Sequence, residues 1–214
     1  VLISKEDFSN SAPTDAEYVS FDISTHAPYI SAFLDVTPTS FVVSAISTDS
    51  LLLEWSDNSA DEDSFRIREY PSGDWVTSVA ADEISYRLGG LTPNEVKAYV
   101  VEIEGGIGDS YQSDADSSYT LANTPGLPTI SYPSTSRLKF ILNNNSNPSH
   151  TKFAVQDSIS GKYVHLLSGG VPDTLRTAED WQTYDSWGGA NGDTLVITPG
   201  KEYRIRVKAR NTAN

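Results

Sequence analysis

Apolar and polar residues alternate with a period of two along most of this 214-residue chain, and no segment of useful length carries apolar residues at helical spacing. The runs are short, and Gly, Pro, Asn, Asp or Ser, the residues that favour turns, cut them every few positions. This pattern predicts an all-β chain. Between 38 and 122 it places seven strands, at 41–46, 51–55, 65–69, 75–79, 85–88, 98–103 and 118–121. Seven short strands make one β-sandwich of about 100 residues. The stretch Leu121-Ala122-Asn123-Thr124-Pro125-Gly126-Leu127-Pro128 then supplies two prolines and a glycine, the chemistry of a short, stiff connection. After it the alternation restarts, with six strands at 129–132, 138–142, 152–157, 163–166, 194–197 and 203–209.

An internal repeat supports the division. Leu91-Thr92-Pro93-Asn94 and Ile197-Thr198-Pro199-Gly200 each precede an alternating strand, and the two prolines lie 106 positions apart, one sandwich length. The expected organisation is an N-terminal extension over 1–37, a first sandwich over 38–122, a linker over 123–128 and a second sandwich over 129–214. Within the extension, Val19, Phe21 and Ile23 alternate with Ser20, Asp22 and Ser24. Ile30, Ala32, Leu34 and Val36 alternate with Ser31, Phe33 and Asp35. Two further strands are expected there, either the end of a preceding repeat or a donor strand for another subunit.

The run Leu53-Glu54-Trp55-Ser56-Asp57-Asn58-Ser59-Ala60-Asp61-Glu62-Asp63-Ser64-Phe65-Arg66-Ile67 resembles the second strand, acidic loop and third strand of bacterial fibronectin type III domains, with Trp55, Phe65 and Ile67 at the matching core positions. The family's later turn, Leu-x-Pro with a tyrosine at the sixth position after the leucine, is similar to Ile197, Pro199 and Tyr203, so the resemblance makes Tyr203 a corner tyrosine. In the first half Lys97 holds that position and Tyr99 is the nearest tyrosine, which implies a two-residue insertion or a lost corner. The second half departs further, with Leu142 in place of the strand tryptophan and a longer middle, 168–192, carrying Trp181, Tyr184 and Trp187. The resemblance covers about 38–214 and implies two tandem immunoglobulin-like sandwiches.

Against the family pattern the second sandwich lacks its last strand. A sandwich so opened offers unpaired backbone groups and apolar pockets to an added strand. The candidate acceptor is the strand of Tyr203, Ile205, Val207 and Ala209, and the candidate donor is the segment of Val19, Phe21, Ile23, Ile30, Ala32, Leu34 and Val36 from another subunit. The rival expectation is that the missing strand follows Asn214 in a longer chain. The absence of methionine and the start at Val1 are read as signs of a processed or partial chain.

Composition narrows the function classes. A net charge of −14, with only 15 scattered basic residues, opposes nucleic acid. No apolar run approaches the roughly 20 residues of a membrane-spanning helix. Without cysteine there is no disulfide framework and no thiolate chemistry. His26, His150 and His165 show no metal spacing and no accompanying nucleophile elbow, so no enzyme and no cofactor are expected. Asp57, Asp61, Glu62 and Asp63 form the one calcium candidate, without the spacing or turn glycine of an EF-hand, and are otherwise a solvated loop. Trp181, Tyr184 and Trp187 are either a sugar-stacking platform or buried packing, and Trp75 reads the same way. Asn144-Asn145-Ser146 is a glycosylation sequon. The expectation is a secreted or cell-surface structural or interaction module whose partners are other copies of itself or neighbouring repeats. A carbohydrate-binding or adhesive module of a larger secreted enzyme is the alternative.

Overall fold

The structure, a computed structural model, describes residues 19–21, 30–32, 36–105, 111–167 and 173–211. The alternating runs form strands as their pattern requires. They are β1 (Val19–Phe21), β2 (Ile30–Ala32), β3 (Thr39–Ala45), β4 (Leu51–Ser56), β5 (Ser64–Glu69), β6 (Trp75–Ala80), β7 (Ser85–Leu88), β8 (Val96–Glu104) and β9 (Asp116–Tyr119). There follow β10 (Gly126–Ser134), β11 (Arg137–Asn143), β12 (Lys152–Asp157), β13 (Tyr163–His165), β14 (Thr174–Arg176), β15 (Gln182–Thr183), β16 (Asp193–Val196) and β17 (Ile205–Arg210). Among the described residues the only helical turn is a 3₁₀ turn at Gly189–Asn191, and no helix is long and apolar enough to cross a membrane.

A three-stranded sheet, β3-β4-β7, and a four-stranded sheet, β6-β5-β8-β9, carry the first set of strands. The hairpin of β5 and β6 is antiparallel, pairing Ser64 with Ala80 and Phe65 with Val79, and β8 pairs along the other edge of β5. On β4, Leu51, Leu53 and Trp55 are buried while the residues between them are not, the one-face pattern of a sandwich strand. Trp55 stands against Phe65 of β5 with ring centroids 5.4 Å apart. The outward faces of β5 and β8 are tied by the ion pairs Arg66–Glu104 and Arg68–Glu102.

The second set comprises the sheet β10-β11-β16 and a five-stranded sheet centred on β12. One edge of β12 pairs throughout with β17; the other is shared, with β15 opposite Lys152 and Phe153 and β13 opposite Gln156. Leu138, Phe140 and Leu142 of β11 meet Phe153 and Val155 of β12, Val164, Trp187 and Leu195 in one buried core. The segment 168–192, read as a longer middle without strands, contributes β14, β15 and the 3₁₀ turn. These short strands escape sequence reading because two or three residues show no periodicity.

The described chain falls into two compact units. One takes residues up to Val42 with Glu54–Tyr86 and Ala98–Asp116, the other Val43–Leu53, Arg87–Lys97 and everything from Ser117 onward. Within the second unit the segment read as linker is held by side-chain amides. Asn147, itself buried, accepts from the Asn123 N–H at 2.8 Å and donates to the Asn123 carbonyl at 2.8 Å. Asn145 donates to the Thr124 carbonyl, and Asn211 accepts from the Ala122 N–H, each at 2.8 Å. Nearby, the buried Asn94 donates to the Thr151 hydroxyl at 2.8 Å, and the His150 ring meets the Asn94 carbonyl at 2.7 Å. Strand β10 already begins at Gly126, inside that segment.

Candidate functional site

The alternation in 203–209 turns one face of this segment towards the second core and sets β17 beside β12 in register from Ile205 opposite Asp157 to Arg210 opposite Lys152. Among the described residues no strand pairs with the other edge of β17. Tyr203, Ile205, Val207 and Ala209 all pack against the core, yet each is only partly buried. The comparison with β8 is direct, because β8 lies between β5 and β9, and its Tyr99, Val101 and Ile103 are 1%, 0% and 3% exposed. β17 thus has one hydrogen-bonded neighbour, β12, and although β10 also runs close to it, no described strand pairs with its outer N–H and C=O groups.

Of the donor residues, Val19 pairs with Ala32 and Phe21 with Ile30, so β1 and β2 form a hairpin with each other. Ile23 and Leu34 lie outside the described residues, and Val36 is half-buried between β2 and β3 without belonging to a strand. Tyr203 makes the corner contact, its hydroxyl accepting from the Thr198 N–H at 2.9 Å. Tyr99 lies within β8, opposite Glu69, with its ring fully buried.

The aromatic residues of 168–192 do not form one exposed face. Trp187 is fully buried, donates its indole N–H to the Phe153 carbonyl at 2.9 Å and meets Phe140 edge to face at 6.0 Å. Tyr184 packs on the same core. Trp181 is half-buried, covered by the Arg210 guanidinium 4.6 Å from its ring and bonded through its indole N–H to Glu179. Trp75 departs from the expected burial, being 65% exposed at the start of β6 next to a register shift opposite Arg68.

The acidic loop is rearranged relative to expectation. Asp57 and Glu62 come together, but their third partner is Asp82, and carboxylate oxygens of the three lie within 4.8 Å of one another. Asp61 is exposed and accepts from the Ser59 hydroxyl, while Asp63 is exposed and its backbone N–H donates to the Glu104 carbonyl at 2.8 Å. Neither joins the cluster. Asp82 stands after β6 with a left-handed φ of 63°, and its N–H donates to Glu62 at 3.0 Å. Burial raises the Asp57 carboxyl above its ordinary range, and the neighbouring charges of Glu62 and Asp82 push the same way. Burial opposes the charged form of Glu62, but the hydrogen bond from the Asp82 N–H and the nearby polar groups of its own amide, Ser59 and Asp57 hold it below its usual value. The pairing of Ser64 with Ala80, continued two residues outward, sets Glu62 opposite Asp82. That register was the missing signal, because the sequence alone does not say how the hairpin pairs.

No family model and no curated protein matches the sequence. The chain is similar to a two-domain segment of chicken tenascin at 16% identity, covering 81% of this chain and 91% of that one with a TM-score of 0.48. A crystal structure of FN3tt is similar at 21% identity over 39% of this chain and 91% of that one, with a TM-score of 0.33. The third fibronectin III domain of the human KIAA0343 protein is similar at 17% identity over 46% and 86%, with a TM-score of 0.34. The tenascin segment and the KIAA0343 domain are fibronectin type III structures, and a family 28 exopolygalacturonase of Yersinia enterocolitica is also similar, at 13% identity over 41% of this chain and 21% of that one with a TM-score of 0.35.

One further acid is buried in the second unit. Asp173 is fully buried beside β16, where its Oδ1 accepts from the Leu167 N–H at 3.0 Å and its Oδ2 has no hydrogen-bond partner. Burial pushes its carboxyl up to about 7, with Asp193 and Asp180 adding repulsion. His165, on β13, lies 3.6 Å from Asp180.

Proposed function

We propose that this chain is an extracellular structural or interaction module that joins other copies of itself by β-strand addition along β17. What carries the reading is the half-burial of Ile205, Val207 and Ala209 on β17, a strand paired along one edge, and of Tyr203 just before it, against the full burial of Tyr99, Val101 and Ile103 on β8. An added strand supplies both the missing backbone partners and the missing apolar cover. The donor is the alternating segment 17–36 of a second copy, which carries its apolar residues at the period of two that such a groove requires. Head-to-tail donation of this kind does not close on itself and so propagates. A net charge of −14 keeps free subunits apart until the specific contact forms.

The test is electron microscopy and sizing of the intact chain beside a variant lacking residues 1–37. Regular fibres from the intact chain and monomers from the deletion support donation by that segment. Identical behaviour of the two chains removes the segment as connector, and a monodisperse intact chain removes self-assembly altogether.

A further inference from the structure

We propose that Asp57, Glu62 and Asp82 form a calcium-binding site that fastens the loop between β4 and β5 to the turn that follows β6. Three observations converge there. Carboxylate oxygens of the three residues lie within 4.8 Å of one another, close to the separation of about 4.6–5.2 Å between two oxygens on opposite sides of one calcium ion. Glu62 is only 7% exposed, and while one of its oxygens accepts from the Asp82 N–H, the other is buried without any hydrogen-bond partner. No ion pair engages Asp57, Glu62 or Asp82 among the described residues.

Such an arrangement is costly as it stands. A buried carboxylate oxygen needs a donor or a cation, and three carboxylates at this distance repel one another unless a proton or a metal ion stands between them. The donor set consists of hard oxygens, and Asp82 is exposed, which leaves room for the water molecules that complete a calcium shell. The smaller magnesium ion demands tighter octahedral geometry at about 2.0–2.1 Å and suits this loop-borne set less well. The cluster joins residues 20 positions apart in sequence, Glu62 and Asp82, so the ion ties one end of the β5–β6 hairpin together at the loop entering β5. This inference is independent of the strand-addition reading, whose acceptor strand lies in the other unit.

The experiment uses the intact chain, stripped with a chelator and titrated with calcium chloride by calorimetry at pH 7, with the thermal midpoint followed in parallel. Saturable one-to-one binding is expected at the affinity of extracellular modules, a Kd of about 10⁻⁴–10⁻³ M. At saturating calcium the midpoint should rise by about 2–5 °C, and by much less in magnesium. Asp82→Asn, at an exposed position, should weaken binding at least about tenfold, and Glu62→Gln should do the same. Asp61→Asn, which removes an equal charge from the same loop outside the cluster, should bind as the parent does. The proposal is overturned if calcium gives neither heat nor a shift in midpoint, the result expected where Asp57 and Glu62 share a proton instead. Equal effects of calcium and magnesium, or equal losses in Asp61→Asn and Asp82→Asn, would overturn it too, since both mark general charge screening.

Discussion

Asn147 pairs with Asn123 as a strand would, its side-chain oxygen accepting from the Asn123 N–H and its amide nitrogen donating to the Asn123 carbonyl, both at 2.8 Å. The same amide nitrogen donates to the Asn144 carbonyl at 2.8 Å, so all three of the interactions follow from one buried side chain. An aspartate has no N–H to offer. Asn147→Asp therefore sets a carboxylate against two carbonyl oxygens and should cost about 1–3 kcal/mol, more than an exposed polar exchange, measured as a lower urea midpoint.

The corner contact predicts a smaller loss. Tyr203→Phe removes the acceptor of the Thr198 N–H and leaves the ring in place, which should cost about 0.5–1.5 kcal/mol in chemical denaturation. A corner that carries no stability would leave the midpoint unchanged.

Two tryptophans should respond in opposite ways. Trp187 is fully buried and bonded to Phe153, so Trp187→Ala should cost about 3–5 kcal/mol. Trp75 is exposed, and Trp75→Ala should stay within about 0.5 kcal/mol of the parent. Trp187 should likewise supply the blue-shifted part of the emission spectrum, and quenching by added iodide should fall mainly on Trp75.

Asp173 makes stability depend on pH. Its carboxyl is raised from 3.8 to about 7 in the folded chain, chiefly by burial. Between those values the folded chain holds a proton that the unfolded chain has released, so this group's contribution is full at low pH and declines as pH rises, until it levels off above about 7. Asp173→Asn keeps the acceptor for the Leu167 N–H without the charge. The variant should lose this decline and exceed the parent in thermal midpoint at pH 8, while scans at pH 4 bring the two closer together.

Period-two alternation was enough to place 51–56, 85–88 and 152–157 as strands to within a residue, because the alternation is local to each segment and needs no knowledge of its partner. Local spacing also marked Tyr203, Ile205, Val207 and Ala209 as one inward face, and the family resemblance implied Tyr203 as the corner. What it left undecided are matters of pairing between distant segments. Nothing local to Asp57 and Glu62 says that the third carboxylate is Asp82 rather than Asp61, because that choice depends on how β5 and β6 align. Trp187 and Trp75 are the same residue type in similarly polar surroundings, and only the packing of β12 against β11 and the 3₁₀ turn buries one while the edge position of β6 leaves the other in water. Alternation is written into a strand residue by residue, whereas register and burial belong to pairs of strands and exist only once the sheets have formed.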